Sequence, residues 1–100
     1  MEHHEHLNAI MEHYDDALEE LMGAQKYATT AMHCHDNERR HRYKVMAMQE
    51  MEHEATIEKE AEENAEEARH DLLSAVWMHL RKHLHSWRKD IETELEAIDD

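Results

Sequence analysis

Residues 33–37 read His33-Cys34-His35-Asp36-Asn37, and this stretch separates two long helical periodicities. Upstream of it, Leu7, Met11, Tyr14, Leu18, Leu21, Ala28 and Met32 recur at helical spacing, one helix face held over about seven turns. Asp36 and Asn37 then offer side-chain oxygens to the free N–H groups that open a new helix. So little chain lies between the two periodic segments that it must reverse direction, and the helices must pack antiparallel. This predicts helix A over about residues 3–33 and helix B over about 37–63.

Helix B carries a stripe of Tyr43, Met46, Glu50, His53 and Ile57, with two polar residues at its middle. The following stretch, Glu58 to Glu67, is rich in Glu and Ala and reads as a solvated helix end or a connection. Asn64, with Glu67 three residues later, resembles a capping box and is the preferred break; Asp71 is the alternative. Helix C, expected over about 65–98, carries Leu73, Trp77, Leu80, Leu84, Trp87, Ile91, Leu95 and Ile98, the most apolar stripe of the chain. No linker or repeat interrupts these segments, so residues 1–100 read as a single helical domain. Three unequal helices seldom close a four-helix core, which points to a partner chain.

Composition agrees. Zero proline, one glycine, zero phenylalanine and abundant Glu, Ala, Met and Leu favour an all-α fold over strands. The 25 acidic residues against 11 basic ones leave a formal charge of −14, which repels a phosphate backbone and disfavours nucleic acid while favouring small cations. No apolar run approaches a membrane span and Met1 opens no charged-then-apolar leader, so the expectation is a cytoplasmic protein with no membrane partner. Cys34, the single cysteine, has no intrachain disulfide partner. Apolar residues make up 40% of the chain, many of them Ala or Met, so one copy closes only a small core and self-association is expected. The methionines read as core filling rather than a copper site.

Glu50-Met51-Glu52-His53 contains Glu-x-x-His, which sets a carboxylate and an imidazole one turn apart on one helix face, able to grip one metal ion. Composition alone yields about two such pairs by chance, and three occur: Glu38/His41, Glu50/His53 and Glu67/His70. Position selects among them. Only Glu50/His53 interrupts an apolar stripe in mid-helix, where an unpartnered carboxylate would be costly and a metal would relieve it. A water-facing Glu50 paired with a lysine or arginine is the alternative. On helix A, Glu20 has Asp16, Ala17, Gly23 and Ala24 around it, small residues that leave room for a close helix and an ion, and Tyr27 follows two turns along.

Glu20, Tyr27 and Glu50-x-x-His53, with a short turn around Cys34 and Asp36, resemble the ferritin-like superfamily, and within it the short encapsulated ferritins. The likeness covers about residues 18–57. It implies a dinuclear iron (Fe) centre that oxidises Fe²⁺ with oxygen or peroxide, in iron storage or detoxification. It further implies Glu20, Glu50 and His53 as metal ligands and catalytic residues, with Tyr27 beside them. The bundle arithmetic is consistent: a di-iron bundle takes a Glu from each of two helices and a Glu-x-x-His from each of two others, and one copy of this chain offers one of each. Two copies would complete a ferritin-like four-helix bundle, as a homodimer or a larger even-numbered ring. An encapsulin-type shell protein is the further partner implied, with the interior of such a nanocompartment as the location.

The remaining histidines read less sharply. His3, His4, His6 and His13 crowd the first turns beside Glu2, Glu5 and Glu12, where they could guide Fe²⁺ inward. His79 and His83 stand four residues apart on helix C, a spacing that can bind a divalent ion and is commoner as solvated surface. Two other classes of function stay open at this point: a structural or adaptor bundle whose Glu50 and His53 make only polar contacts, and a divalent-metal binder without redox chemistry.

Overall fold

The computed structural model describes residues 2–98, with side chains from residue 4 onward. It is all-helical among the described residues: α1 Glu2–Met32, α2 Asn37–Ala68 and α3 Asp71–Glu96. The molecule is a rod, 53 × 17 × 14 Å. No helix among the described residues is long and apolar enough to cross a membrane. His3 and the final Asp99 and Asp100 lie outside the described side chains.

The turn forms as its residues dictate. Asp36 caps α2 from an extended backbone conformation, its carboxylate accepting the Glu38 N–H at 3.0 Å. The second connection is where expectation and structure part. Helix α2 runs past residue 63 to Ala68 and stops at Arg69, which takes the left-handed conformation (φ 49°) and donates its N–H to the Glu66 carbonyl. Asn64 does not cap a helix, because its carbonyl oxygen is held by the His6 ring at 2.9 Å. The break falls at the alternative, Asp71, and α3 starts there rather than near residue 65.

The stripe foreseen on α3 is the one that packs: Leu73, Trp77, Leu84, Ile91, Leu95 and Ile98 are buried, with Leu80 and Trp87 at the edge. Each such side chain is worth about 1.5–3 kcal/mol on burial. On α1 and α2 the foreseen stripes are rotated from the true centres, although Leu21 and Ala28 are buried as expected and Leu7, Tyr14, Leu18, Tyr43 and Ile57 pack against the core. The centre of α1 is Ile10, Ala17, Leu21, Ala24, Ala28 and Ala31, and that of α2 is Ala47, Met51, Glu54, Glu58, Ala61 and Ala65. Met11, Met32 and Met46, expected in the stripes, are exposed. Methionine therefore does not fill this core: among the described residues Met51 alone is buried, while Met22, Met48 and Met78 also face outward. Alanine supplies most of both centres, a small side chain that lets two helices approach closely between the larger Ile10, Leu21 and Met51.

Helix α3 runs back along the hairpin antiparallel to α2. Lys44 Nζ reaches the Ile98 carbonyl at 3.1 Å, Arg88 reaches Glu54 at 2.6 Å, and His85 reaches Glu58 at 2.8 Å. From α1, Gln25 donates to Glu94 at 2.6 Å and accepts from the Trp87 indole N–H at 3.4 Å.

Candidate metal centre

On the side of the hairpin not used by α3, a seam of contacts joins α1 to α2. His6 meets Asn64, His13 meets Glu60 at 3.5 Å, Glu20 meets His53 at 3.7 Å, and Tyr27 stacks on Tyr43 with ring centroids 6.3 Å apart. As the contacts advance along α1 they retreat along α2, from Asn64 through Glu60 and His53 to Tyr43, the order an antiparallel pair of helices requires.

At the middle of this seam the structure brings Glu20, Glu50 and His53 together, one ligand atom from each lying within 4.8 Å of the other two. It is the one group of three such ligands among the described residues. Helix α1 contributes Glu20 and clears the space: a Cβ on Gly23 would lie 2.9 Å from Glu50 Oε2, so the glycine is what admits the Glu50 carboxylate. Helix α2 contributes Glu50 and His53 from adjacent turns of one face. Glu20 and Glu50 are half-buried, whereas the His53 side chain is 63% exposed and faces outward.

The electrostatics of the group are those of crowded carboxylates. Glu20 holds its proton above the usual carboxylate range, first because it shares a hydrogen bond with Glu50, then because it is partly buried and faces the Glu50 charge; His53 pulls the other way. Glu20 Oε2 is shielded from solvent with no hydrogen-bond partner. A cation placed among these three groups would supply the missing partner and cancel the repulsion. Two carboxylates and one imidazole are a donor set that suits Fe²⁺, Zn²⁺ or Mn²⁺, and they leave coordination positions open.

The other sequence candidates lie apart from this group. Tyr27, half-buried, is committed to its stack on Tyr43 toward the turn, with no hydrogen bond to Glu20, Glu50 or His53. Glu38 lies at the start of α2, and His70 is the residue preceding α3. His79 and His83 sit edge to face, centroids 5.3 Å apart, on the exposed side of α3. His6 and His13 are spent on cross-helix contacts, and His13 also bonds the Ala9 carbonyl at 2.6 Å. The Cys34 thiol points to the Asp36 carbonyl at 3.7 Å.

A second charged cluster had no counterpart in the sequence reading. Glu54 is completely buried and Glu58 nearly so, both on the α3 side of α2. Burial, reinforced by a hydrogen bond and charge repulsion from Glu58, pushes the Glu54 carboxyl up to about 8 against the pull of Arg88. Burial also works against the Arg88 charge, but hydrogen bonds to Glu92 and Glu54 outweigh it and keep the guanidinium protonated. The sequence does carry a signal for this cluster, a second stripe at helical spacing, Ala47-Met51-Glu54-Glu58-Ala61-Ala65, whose alanines and glutamates have little hydrophobic contrast.

Comparison with family models, curated proteins and solved structures returns no match. Functional inference therefore rests on the geometry of the site.

Proposed function

We propose that this chain is half of a ferritin-like ferroxidase, with Fe²⁺ as substrate. The reading rests on one observation: Glu20 Oε2 lies shielded from solvent with no hydrogen-bond partner, beside Glu50 and 3.7 Å from His53 Nδ1, with all three presented on a face that α3 leaves open. One copy offers two carboxylates and one imidazole, too few for two ions. A second copy across a two-fold axis would double the set to four carboxylates and two imidazoles and close a four-helix bundle.

Within such a site the chain's residues hold two Fe²⁺ ions side by side with open positions for an oxidant. Each ion loses one electron, and O₂ takes the two electrons and two protons to leave as H₂O₂, giving two Fe³⁺. Glu20, Glu50 and His53 of each copy would hold the ions, the carboxylates offsetting their charge, and a cation would compete with a proton for the Glu20 carboxylate, whose proton affinity is raised by Glu50 and by partial burial.

The deciding experiment follows absorbance of ferric product after aerobic addition of Fe²⁺. Glu20→Ala, Glu50→Ala and His53→Ala should each abolish rapid oxidation, while His79→Ala and His83→Ala should leave it nearly intact. Undiminished oxidation by Glu50→Ala would end the reading and favour a bundle that binds divalent ions only through its acidic surface.

A further inference from the structure

The −14 charge of the chain is unevenly placed along the seam. Toward the turn, Arg39 and Arg42 rim a hollow of about 440 Å³ whose other walls are Tyr43 and the exposed Met46. Among the described residues neither arginine has an ion-pair or hydrogen-bond partner. Toward the opposite end, the same face carries Glu12 and Glu60, both exposed, Glu60 standing 3.5 Å from His13 with more than half of its side chain open to solvent. Helical rise puts Arg42 about 12 Å from the Glu50 level on one side, and Glu60 about 15 Å and Glu12 about 12 Å from the site level on the other. The two charges are thus nearly equidistant from the Glu20/Glu50/His53 group, with opposite sign.

From this we infer that a second copy of the chain docks antiparallel over the seam, and that the arginine hollow of each copy receives Glu60 of the other, with Glu12 beside it. The inference rests on the shared-site reading and adds the orientation. A two-fold axis across the helices at the metal group carries Arg42 of the partner subunit to the level of Glu60, and the contact is made twice. A two-fold axis along the helices would instead stack both turn ends, arginine on arginine, and both acidic ends. The apolar walls at Tyr43 and Met46 exclude water from the guanidinium–carboxylate contact, where such pairs gain strength. The charge pattern therefore selects one register, and that register is the one that superposes the two half-sites.

Cys34, the single cysteine, lies at the turn and reports the orientation directly. With Zn²⁺ present as a diamagnetic ion, spin labels on Cys34 should give an electron–electron distance of about 40 Å in the antiparallel dimer, against about 20 Å or less in a parallel one. Sedimentation of Arg42→Glu and of Glu60→Arg should each show dimerisation weakened more than tenfold, with the double exchange restoring it toward the parent. A dimer with the short distance, or one indifferent to Arg42→Glu, overturns this inference and leaves the shared site standing. A chain that stays monomeric with Zn²⁺ and with anaerobic Fe²⁺ overturns both.

Discussion

Gly23 and Glu50 occupy one space: the methyl group that alanine would add at residue 23 falls 2.9 Å from Glu50 Oε2. In an ordinary helix interior, glycine to alanine gains roughly 1 kcal/mol. Here the obstacle is the end of a flexible side chain, so Gly23→Ala should keep or raise the metal-free melting temperature while displacing a ligand. Affinity for Co²⁺, measured by titration calorimetry, should drop on the order of tenfold or more. Unchanged affinity would show that Glu50 does not need its present position.

Metal should stabilise the folded assembly. Four carboxylates around one space repel each other without a cation, and an ion that binds only the folded form adds about 2.7 kcal/mol at one hundred times its dissociation constant. Zn²⁺, Co²⁺ and anaerobic Fe²⁺ should all raise the melting temperature in a concentration-dependent way. Measured at high ionic strength to screen the acidic surface, the shift should vanish in Glu50→Ala. Equal shifts in parent and variant would assign the effect to surface ions. Because a proton and a cation compete for the Glu20 carboxylate, whose proton affinity is raised, the shift should also shrink as pH falls.

The pH dependence of stability should carry the mark of Glu54. Its carboxyl titrates at about 8 in the folded chain against an ordinary 4.5, so between these values the folded state holds a proton that the unfolded state has lost. Stability from this group is complete below the lower value and declines as pH rises, until it is gone above the upper one. Glu20 acts in the same direction. Melting temperatures across this window should therefore fall less steeply with pH for Glu54→Gln than for the parent. Parallel profiles would show that the buried carboxyl is not protonated.

Glu54 and Arg88 should prove energetically coupled. Their 2.6 Å contact fixes α3 to the middle of α2. Arg88→Met takes the partner from the buried Glu54 Oε1 and should destabilise the fold, whereas Glu54→Met with Arg88→Met removes both demands. A double-mutant cycle by denaturant unfolding should give a coupling on the order of 1–3 kcal/mol. Additive effects would mean that α3 is held by its apolar face alone.

The sequence was legible where side chains are large or turns are chemically marked. Asp36 at the hairpin and the Leu, Ile and Trp stripe of α3 stand in the structure as read. So does the meeting of Glu20 with Glu50 and His53, which Glu-x-x-His spacing and the small neighbours of Glu20 suggested and the ferritin-like resemblance joined into one set. The rest was lost for one physical reason. Where helices meet through alanine, the buried residues have little hydrophobic signal, and exposed methionines nearby have more; the apparent stripe therefore rotates toward Met11, Met32 and Met46. The same rotation hid Glu54 and Glu58, whose burial depends on Arg88 and His85 arriving from a helix distant in sequence. The end of α2 was misjudged because Asn64 serves a tertiary contact with His6 instead of a cap.

The alanines between α1 and α2 also govern how this sequence can change. At Ala17, Ala24, Ala28, Ala47 and Ala61 no surface is left exposed, and each added methylene must push two long helices apart along their whole length. Overpacking of this kind typically costs about 1–3 kcal/mol per site. Sequence drift in the hairpin is therefore confined to its outer faces, whereas the Leu, Ile and Trp face of α3 can exchange one large side chain for another. Diverged copies of this chain would keep the spacing of α1 against α2 almost unaltered and accumulate their differences in α3, so the distance across which Glu20 faces Glu50 and His53 is guarded by residues that carry no chemistry of their own.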